Sequence, residues 1–285
     1  MSPSLFEYLH EICAFDPQQT HVPFTVSGVL AGWMRREFAQ CLEQWPEYFS
    51  VRDRGVGMLG HFESPEHRSA AMAEVVEALA VQTVIRHWRG EQITVSESFY
   101  APPLFHVERA ASRNLGVTVY GAHLNGVTVK RGEPYMWIAE RASIKDTDPG
   151  KLDNIAAGRI ARAMTPMQTM VKEAGEEAGM DPTLAKTLKP AGAIRSARET
   201  EDGFHHEIIF THDLILADTF EPINRDGEVN AFHCLPLREA MDLLERNPAA
   251  FTVDAALVIV DFLIRRGYFT AQREDYLGLI RLKGV

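Results

Sequence analysis

The sequence predicts an α/β protein in two units, a smaller α/β unit followed by a larger one in which strands bracket a helix. Three observations carry this. A long run from Pro65 to about His87 repeats apolar residues at helical spacing among short strand-like pieces. Two β-rich runs meet at Asn125-Gly126, a pair typical of a tight hairpin turn. Thr165 to Gly179 then carries a full set of helix start and stop residues.

In the first unit a helix is expected over about Gly32 to Gln44 and a short strand near Tyr48 to Arg52. Ser64 before Pro65 and Glu66 starts the long helix, whose Ala71, Val75, Ala78 and Leu79 lie at helical spacing. The second unit opens with VTVYGAHL, turns at Asn125-Gly126 and resumes as VTV; a further strand covers Tyr135 to Arg141. Beyond the Thr165 helix, His206 to Leu216 and Val229 to Cys234 read as strands, joined through a loop at Asp226-Gly227. Ala255 to Ile264 is nearly all apolar but short, and Asp261 interrupts it, so it is expected as a buried helix capped by Asp254 and ended by Gly267. The boundary falls near 108 to 115, giving units 1–112 and 113–285.

The chemistry concentrates in the Thr165 helix. Thr165 is a suitable N-cap, Pro166 fits the first turn, Gln168 completes a Thr-x-x-Gln capping box, and Gly179 stops the helix. Met167, Met170, Val171 and Ala174 form an apolar stripe, while Glu173 meets Glu176 at i+3 and Glu177 at i+4 on an adjoining face. These like charges repel, and the two later glutamates sit near the negative end of the helix dipole, at a cost of about 0.3 to 1 kcal/mol each when exposed. A divalent cation reverses that cost, and Mg²⁺ prefers hard oxygen ligands that leave room for water and phosphate. The plain alternative is a solvated helix face with Lys172 as its counterion.

The segment GRIARAMTPMQTMVKEAGEEAGM resembles the Nudix box, G-x5-E-x7-R-E-U-x-E-E-x-G-U with U aliphatic. Gly158, Glu173, Glu176, Glu177, Gly179 and Met180 stand at matching positions, whereas Met164 takes the place of the first glutamate and Lys172 that of the arginine. WRGEQITV from Trp88, HVERAASRNLGVTVYGAHLNG from His106, PGKLDNIAAG from Pro149, DGEVNAFHCLPL from Asp226 and ALVIVDFLIRRGYFT from Ala256 resemble one group of that family. That group comprises thiamine-related enzymes with an extra N-terminal domain, some fused to thiamine pyrophosphokinase. The resemblance implies a Nudix α/β/α sandwich with a mixed sheet after a smaller α/β domain. It also implies hydrolysis of a small-molecule diphosphate, with oxidised or oxy forms of thiamine diphosphate as the suggested substrates, to a monophosphate and phosphate. Glu173, Glu176 and Glu177 are then expected to hold Mg²⁺, or Mn²⁺ in its place, with the Gly158 carbonyl as a further ligand. Glu177 or Glu228, the latter in the DGEV loop, is expected to orient the attacking water; a plain turn residue is the competing account of Glu228. Arg162 and Lys172 are candidates only for pairing with carboxylates or phosphate. Two alternatives stand beside this function: a nucleoside diphosphate-sugar pyrophosphatase, and a binding protein of the same fold without turnover, motivated by Met164 and Lys172.

Composition agrees with a soluble enzyme, since 285 residues with 46% hydrophobic content can bury two cores. A formal net charge of -10 argues against a nucleic-acid partner, whose phosphates need clustered Lys and Arg. Cys13, Cys41 and Cys234 are scattered and form no C-x-x-C pair, and no signal-like stretch opens the chain. A cytoplasmic protein is expected, with no membrane partner and with a homodimer left open.

Other patterns carry less. Gly55 to Gly60 spells G-x-G-x-x-G, but the next helix starts only near Pro65, so a glycine-rich turn is expected instead of a dinucleotide site. His205, His206 and Glu207 cannot all converge if they lie on a strand, because neighbours face opposite ways, and a surface or boundary role is expected. Trp88 and Trp137 are packing residues before they are stacking platforms. The chain has neither a Walker A sequence nor a G-x-S-x-G elbow.

Overall fold

A computed structural model describes residues 3–284. The first part contains α1 (Leu5–Cys13), β1 (His21–Val26), β2 (Val29–Arg35), α2 (Arg36–Cys41), β3 (Phe49–Arg52), β4 (Gly55–Met58), α3 (Pro65–Val81), β5 (Gln92–Ser96) and β6 (Pro103–Glu108). After the short α4 (Ser112–Leu115) come β7 (Thr118–Lys130), β8 (Glu133–Arg141), β9 (Leu152–Asn154), β10 (Ala156–Arg159) and α5 (Pro166–Glu177). The chain continues through α6 (Pro182–Ala185), β11 (Lys189–Thr200), β12 (Gly203–Leu216), β13 (Val229–Pro236), α7 (Leu237–Arg246), α8 (Val253–Arg265) and α9 (Tyr276–Leu282).

A four-stranded sheet, β2-β1-β4-β3, and the β5-β6 pair form one core with α3, filled by Phe24, Met72, Leu79 and Phe105. The larger sheet runs β11-β12-β7-β8-β13, with β10 added to β7 and β9 to β8. It is mixed, because β12 lies parallel to β7 while the other pairings are antiparallel. Alternation along β8 sends Trp137 to one face with Ala122, Met170 and Ala174, and Met136 and Ile138 to the other with Ile209 and Leu257. Helix α5 therefore covers one face and α8 the other, which is the expected α/β/α sandwich. Leu5 and Leu9 of α1 are buried in the α8 core, so the chain's first helix packs on its last third.

Several local expectations give way to tertiary contacts. Asn125-Gly126 is not a turn: it lies inside the 13-residue strand β7. Asn125 is 1% exposed and donates to Asp213 Oδ1 at 3.1 Å while accepting from Asn154 at 3.1 Å. At Gly126 any Cβ would lie 3.0 Å from the Ile155 side chain, so glycine serves packing there. The hairpin closes instead at Arg131-Gly132, both with positive φ, between Lys130 and Glu133. Gly32 belongs to strand β2, and the helix expected from that point starts only at Arg36. A Cβ on Gly32 would come 2.4 Å from the Leu115 carbonyl, which shows that close approach to the Leu115–Gly116 backbone decides its state.

Helix α3 starts at the Ser64 cap as expected, but ends at Val81, before Thr83 takes a positive φ. Gly55 to Met58 is strand β4, paired with β1 and β3, where a glycine turn was expected. Helix α8 is buried as expected, but its cap is Thr252, whose Oγ1 accepts from Ala255 N at 3.1 Å; Asp254 is engaged elsewhere. Asp261 is tolerated inside that helix because Arg265 and Lys283 donate to it at 2.6 and 2.7 Å. Among the described residues no helix is long and apolar enough to cross a membrane.

Candidate active site

Helix α5 begins as its sequence dictates. Thr165 Oγ1 accepts from Gln168 N at 3.2 Å, and Gln168 Oε1 in turn accepts from Thr165 N at 2.9 Å. Its C-terminal carbonyls are satisfied partly from outside the helix. Met180 N donates to Ala174 O at 2.9 Å, Ile223 N to Ala178 O at 3.1 Å and Arg225 N to Glu176 O at 2.9 Å. The loop that closes the helix is thus the one that continues to Glu228, bringing a distant carboxylate toward the same end.

Strand β10 supplies the floor. Glu177 is 6% exposed and accepts a hydrogen bond from Ala157 N at 2.8 Å. Burial pushes its carboxyl well above the usual carboxylate range, the Ala157 N–H opposes this, and Glu173 and Asp153 raise it further. Next along the strand, Gly158 leaves space that Glu173 fills: a Cβ there would lie 2.4 Å from Glu173 Cδ. Burial raises Glu173 as well, against Lys172, with Glu176 and Glu228 adding to the rise. Lys172 Nζ stands 3.1 Å from Glu173 Oε1 and 2.7 Å from Glu176 Oε2. One ammonium therefore spans two of the three helix carboxylates, and the buried third, Glu177, has a single backbone donor.

Gly158, Glu173, Glu176 and Glu177 are brought together by α5 and β10. Glu228 follows Gly227 in a turn, its N–H donating to Asp226 Oδ1 at 2.9 Å, and its half-exposed carboxylate pairs with Lys145. Burial raises the Glu228 carboxyl, but Lys145, Arg141 and Arg109 outweigh that and hold it below the usual range. Met164 packs as a partly buried apolar residue beside the α5 core, where the box pattern has a glutamate. Arg162 donates to Gln92 Oε1 at 3.1 Å, and so pairs with a neutral side chain of the first unit. Trp137 is buried with its edge toward Phe220, a packing role, and Trp88 is exposed.

Lys145 was not singled out by sequence, nor was the Arg141–Asp153 pair at 2.8 Å. No local pattern marks either. The expected surface or boundary role for His205 and Glu207 is overturned: they share one face of β12, buried at 1% and 4% exposure, while His206 faces the other way toward Thr118 and Arg195. With Asp254 they place three potential ligand atoms within 4.8 Å. Arg198, however, grips Asp254 at 2.6 and 3.0 Å, Ser196 donates to it at 2.6 Å, and Arg159 faces Glu207 at 3.7 Å. The charges are already matched by arginines, so this is an ion-pair network that ties the start of α8 to the sheet. Burial and the neighbouring Arg198 hold the His205 imidazole down to about 3, hence neutral.

Comparison with known proteins places this geometry in context. Residues 6–119 match a family model described as a domain of unknown function (DUF4743). The chain is 32% identical over 262 residues to Nudix hydrolase 24, chloroplastic, of Arabidopsis thaliana, spanning 91% of this chain and 72% of that protein. It is 31% identical over 267 residues to Nudix hydrolase 20, chloroplastic, of the same plant, spanning 90% and 71%. Among solved structures, the NUDIX domain of Shewanella oneidensis NrtR complexed with ADP ribose is similar over 53% of this chain and 89% of its own, at 10% identity and a TM-score of 0.42.

Proposed function

The chain belongs to the Nudix hydrolase family, and we propose that it is a Mg²⁺-dependent hydrolase of a small-molecule diphosphate. One observation carries this: Glu177, a buried carboxylate, has one backbone donor and lies in the field of Glu173 and Asp153, an arrangement that fits a bound divalent cation. Gly158 fits too, since its missing side chain is what lets Glu173 lie against the strand. Glu173, Glu176 and Glu177, with the Gly158 carbonyl, would hold Mg²⁺, or Mn²⁺ in its place. When bound, the ion supplies positive charge to phosphate oxygens as the anhydride bond breaks.

The chain's own groups do the rest. Glu228, held ionised by its cationic neighbours, orients the attacking water and accepts its proton; Glu177 is the alternative base. Water oxygen bonds to phosphorus, the bridging oxygen leaves with its electron pair, and a monophosphate and phosphate result. Oxidised or oxy thiamine diphosphate is the proposed substrate within this class, and a nucleoside diphosphate-sugar is the competing one. We also propose the division 1–112 and 113–285. The first core supports it from Val22 to Ala111, with two departures: Leu115, Val117 and Val119 close that core from beyond the boundary, and Leu5 and Leu9 of α1 pack in the second.

Phosphate release is to be measured over a panel of diphosphates with and without Mg²⁺, in ¹⁸O-labelled water. Mg²⁺-dependent release with label in a phosphate product is expected. Label only in the organic alcohol rejects attack at phosphorus. Tight binding without release from any diphosphate favours the non-hydrolytic alternative, which Met164 and the Lys172 bridge would then explain.

A further inference from the structure

The loop between β8 and β9 holds a cation at Glu228, the carboxylate that the loop closing α5 brings toward the glutamate helix. Lys145 extends its ammonium to it. Backbone bonds fix the approach: Ala142 N donates to Glu228 O at 2.9 Å and Lys145 N to Ala142 O at 3.1 Å. The next acidic residue, Asp146, is gripped by Arg89, with His87 Nδ1 at 3.7 Å, both from the first unit.

Those two residues open a short strap, 87–92, which is itself anchored. Arg89 N donates to Glu108 Oε1 at 2.9 Å, and Arg109 N to Glu91 O at 2.8 Å. At its far end Gln92 O accepts from Arg162 N at 3.0 Å, in the segment that leads from β10 into α5. One strap of the first unit therefore touches both segments that flank the carboxylates: the Lys145 loop on one side and the approach to the glutamate helix on the other.

A diphosphate brings further negative charge to a site already lined by Glu173, Glu176, Glu177 and Glu228. Lys172 is committed to two glutamates of its own helix. Lys145 differs, because its partner is the carboxylate assigned to the water; once Glu228 turns to that water, the ammonium is left facing the phosphate oxygens. A compact charge on a flexible stem suits this exchange of partners.

We propose that Lys145 is a phosphate-binding residue of this site, and that the 87–92 strap of the first unit sets its position through the Arg89–Asp146 pair. The inference rests on the diphosphate reading above. Lys145 contacts substrate; Arg89 and Asp146 act through it, as positioning residues.

The test is calorimetric titration of the full-length protein with methylenediphosphonate, a non-hydrolysable diphosphate, in the presence of Mg²⁺, together with KM and kcat on whichever panel substrate is cleaved. Lys145→Met is expected to weaken binding about 10- to 100-fold, the range for losing a charged hydrogen bond. Lys145→Arg should retain most of it. Asp146→Asn and Arg89→Gln should each weaken binding by about threefold, raise KM more than they lower kcat, and add nothing to Lys145→Met, since residues acting through one another are not additive. Wild-type affinity in Lys145→Met overturns the proposal; wild-type KM in both Asp146→Asn and Arg89→Gln overturns the strap's part in it. If the diphosphonate binds through Lys145 but no diphosphate is cleaved, the hydrolase reading falls and the phosphate site stands. Cleavage with an unchanged Lys145→Met sinks this inference alone.

Discussion

Replacing Glu177 with glutamine removes one charge from the most buried carboxylate of the site and leaves the oxygen that accepts from Ala157 N. Burial raises the folded-state pKa of Glu177 above its unfolded value. Its contribution to stability is therefore fully present below the unfolded value and lost as pH rises through the folded one. Once pH exceeds the folded value, the metal-free wild type carries that loss, and the variant does not. Helix-end repulsion is about 0.3 to 1 kcal/mol and the like-charge pair with Glu173 about 0.2 to 0.5 kcal/mol, so the variant should gain at least about 0.5 kcal/mol. For a chain this long that corresponds to roughly 1 to 2 °C or more in Tm. Saturating Mg²⁺ should reverse the order, because binding at about 100 times Kd stabilises the wild type by about 2.7 kcal/mol. Turnover should fall by about 100-fold or more, the scale of losing a key electrostatic group. Thermal melts with and without Mg²⁺, beside phosphate release, read all three. Near-normal turnover with equal Mg²⁺ stabilisation of both proteins would refute the site and restore the solvated-face account of α5.

Two further outcomes follow from the geometry. Gly158→Ala puts a Cβ where Glu173 lies; displacing that carboxylate by about 1 Å should cost up to about 100-fold in turnover, and phosphate release at the wild-type rate would show that Glu173 need not press on β10. His205 titrates near 3 in the folded protein against an ordinary 6.5, so its stabilising contribution is present above pH 6.5 and is lost as pH falls toward 3. Between pH 7 and 5.5 the wild type should lose on the order of 1 kcal/mol more in urea unfolding than His205→Gln; equal losses would mean that the imidazole is solvated.

Much of the site was legible because its signals are local. A Thr-Pro start, a Gln at the third position and a glycine stop bound α5, and helical spacing then places Glu173, Glu176 and Glu177 together whatever surrounds them. Strand β12 and the buried character of α8 were legible for the same reason, through alternation and a continuous apolar run. Asn125-Gly126 misled because its turn preference is worth less than what the strand offers, a buried amide bonded to Asp213 and Asn154 and a glycine under Ile155. His205 and Glu207 carried no signal of their burial, since their partners Arg159, Arg198 and Asp254 come from three other elements.

By itself, then, the sequence determined the helix that bears the three glutamates, set by spacing within a few turns of chain, and the ordered segments by which the chain resembles its family; that Gly158 makes room for Glu173 is a finding of the structure. Only the tertiary structure decided which charges meet. Lys145 over Glu228, Arg89 on Asp146 and Arg198 on Asp254 join residues 83, 57 and 56 positions apart. An ion pair of that kind depends on where the backbone brings two loops, which no local propensity encodes.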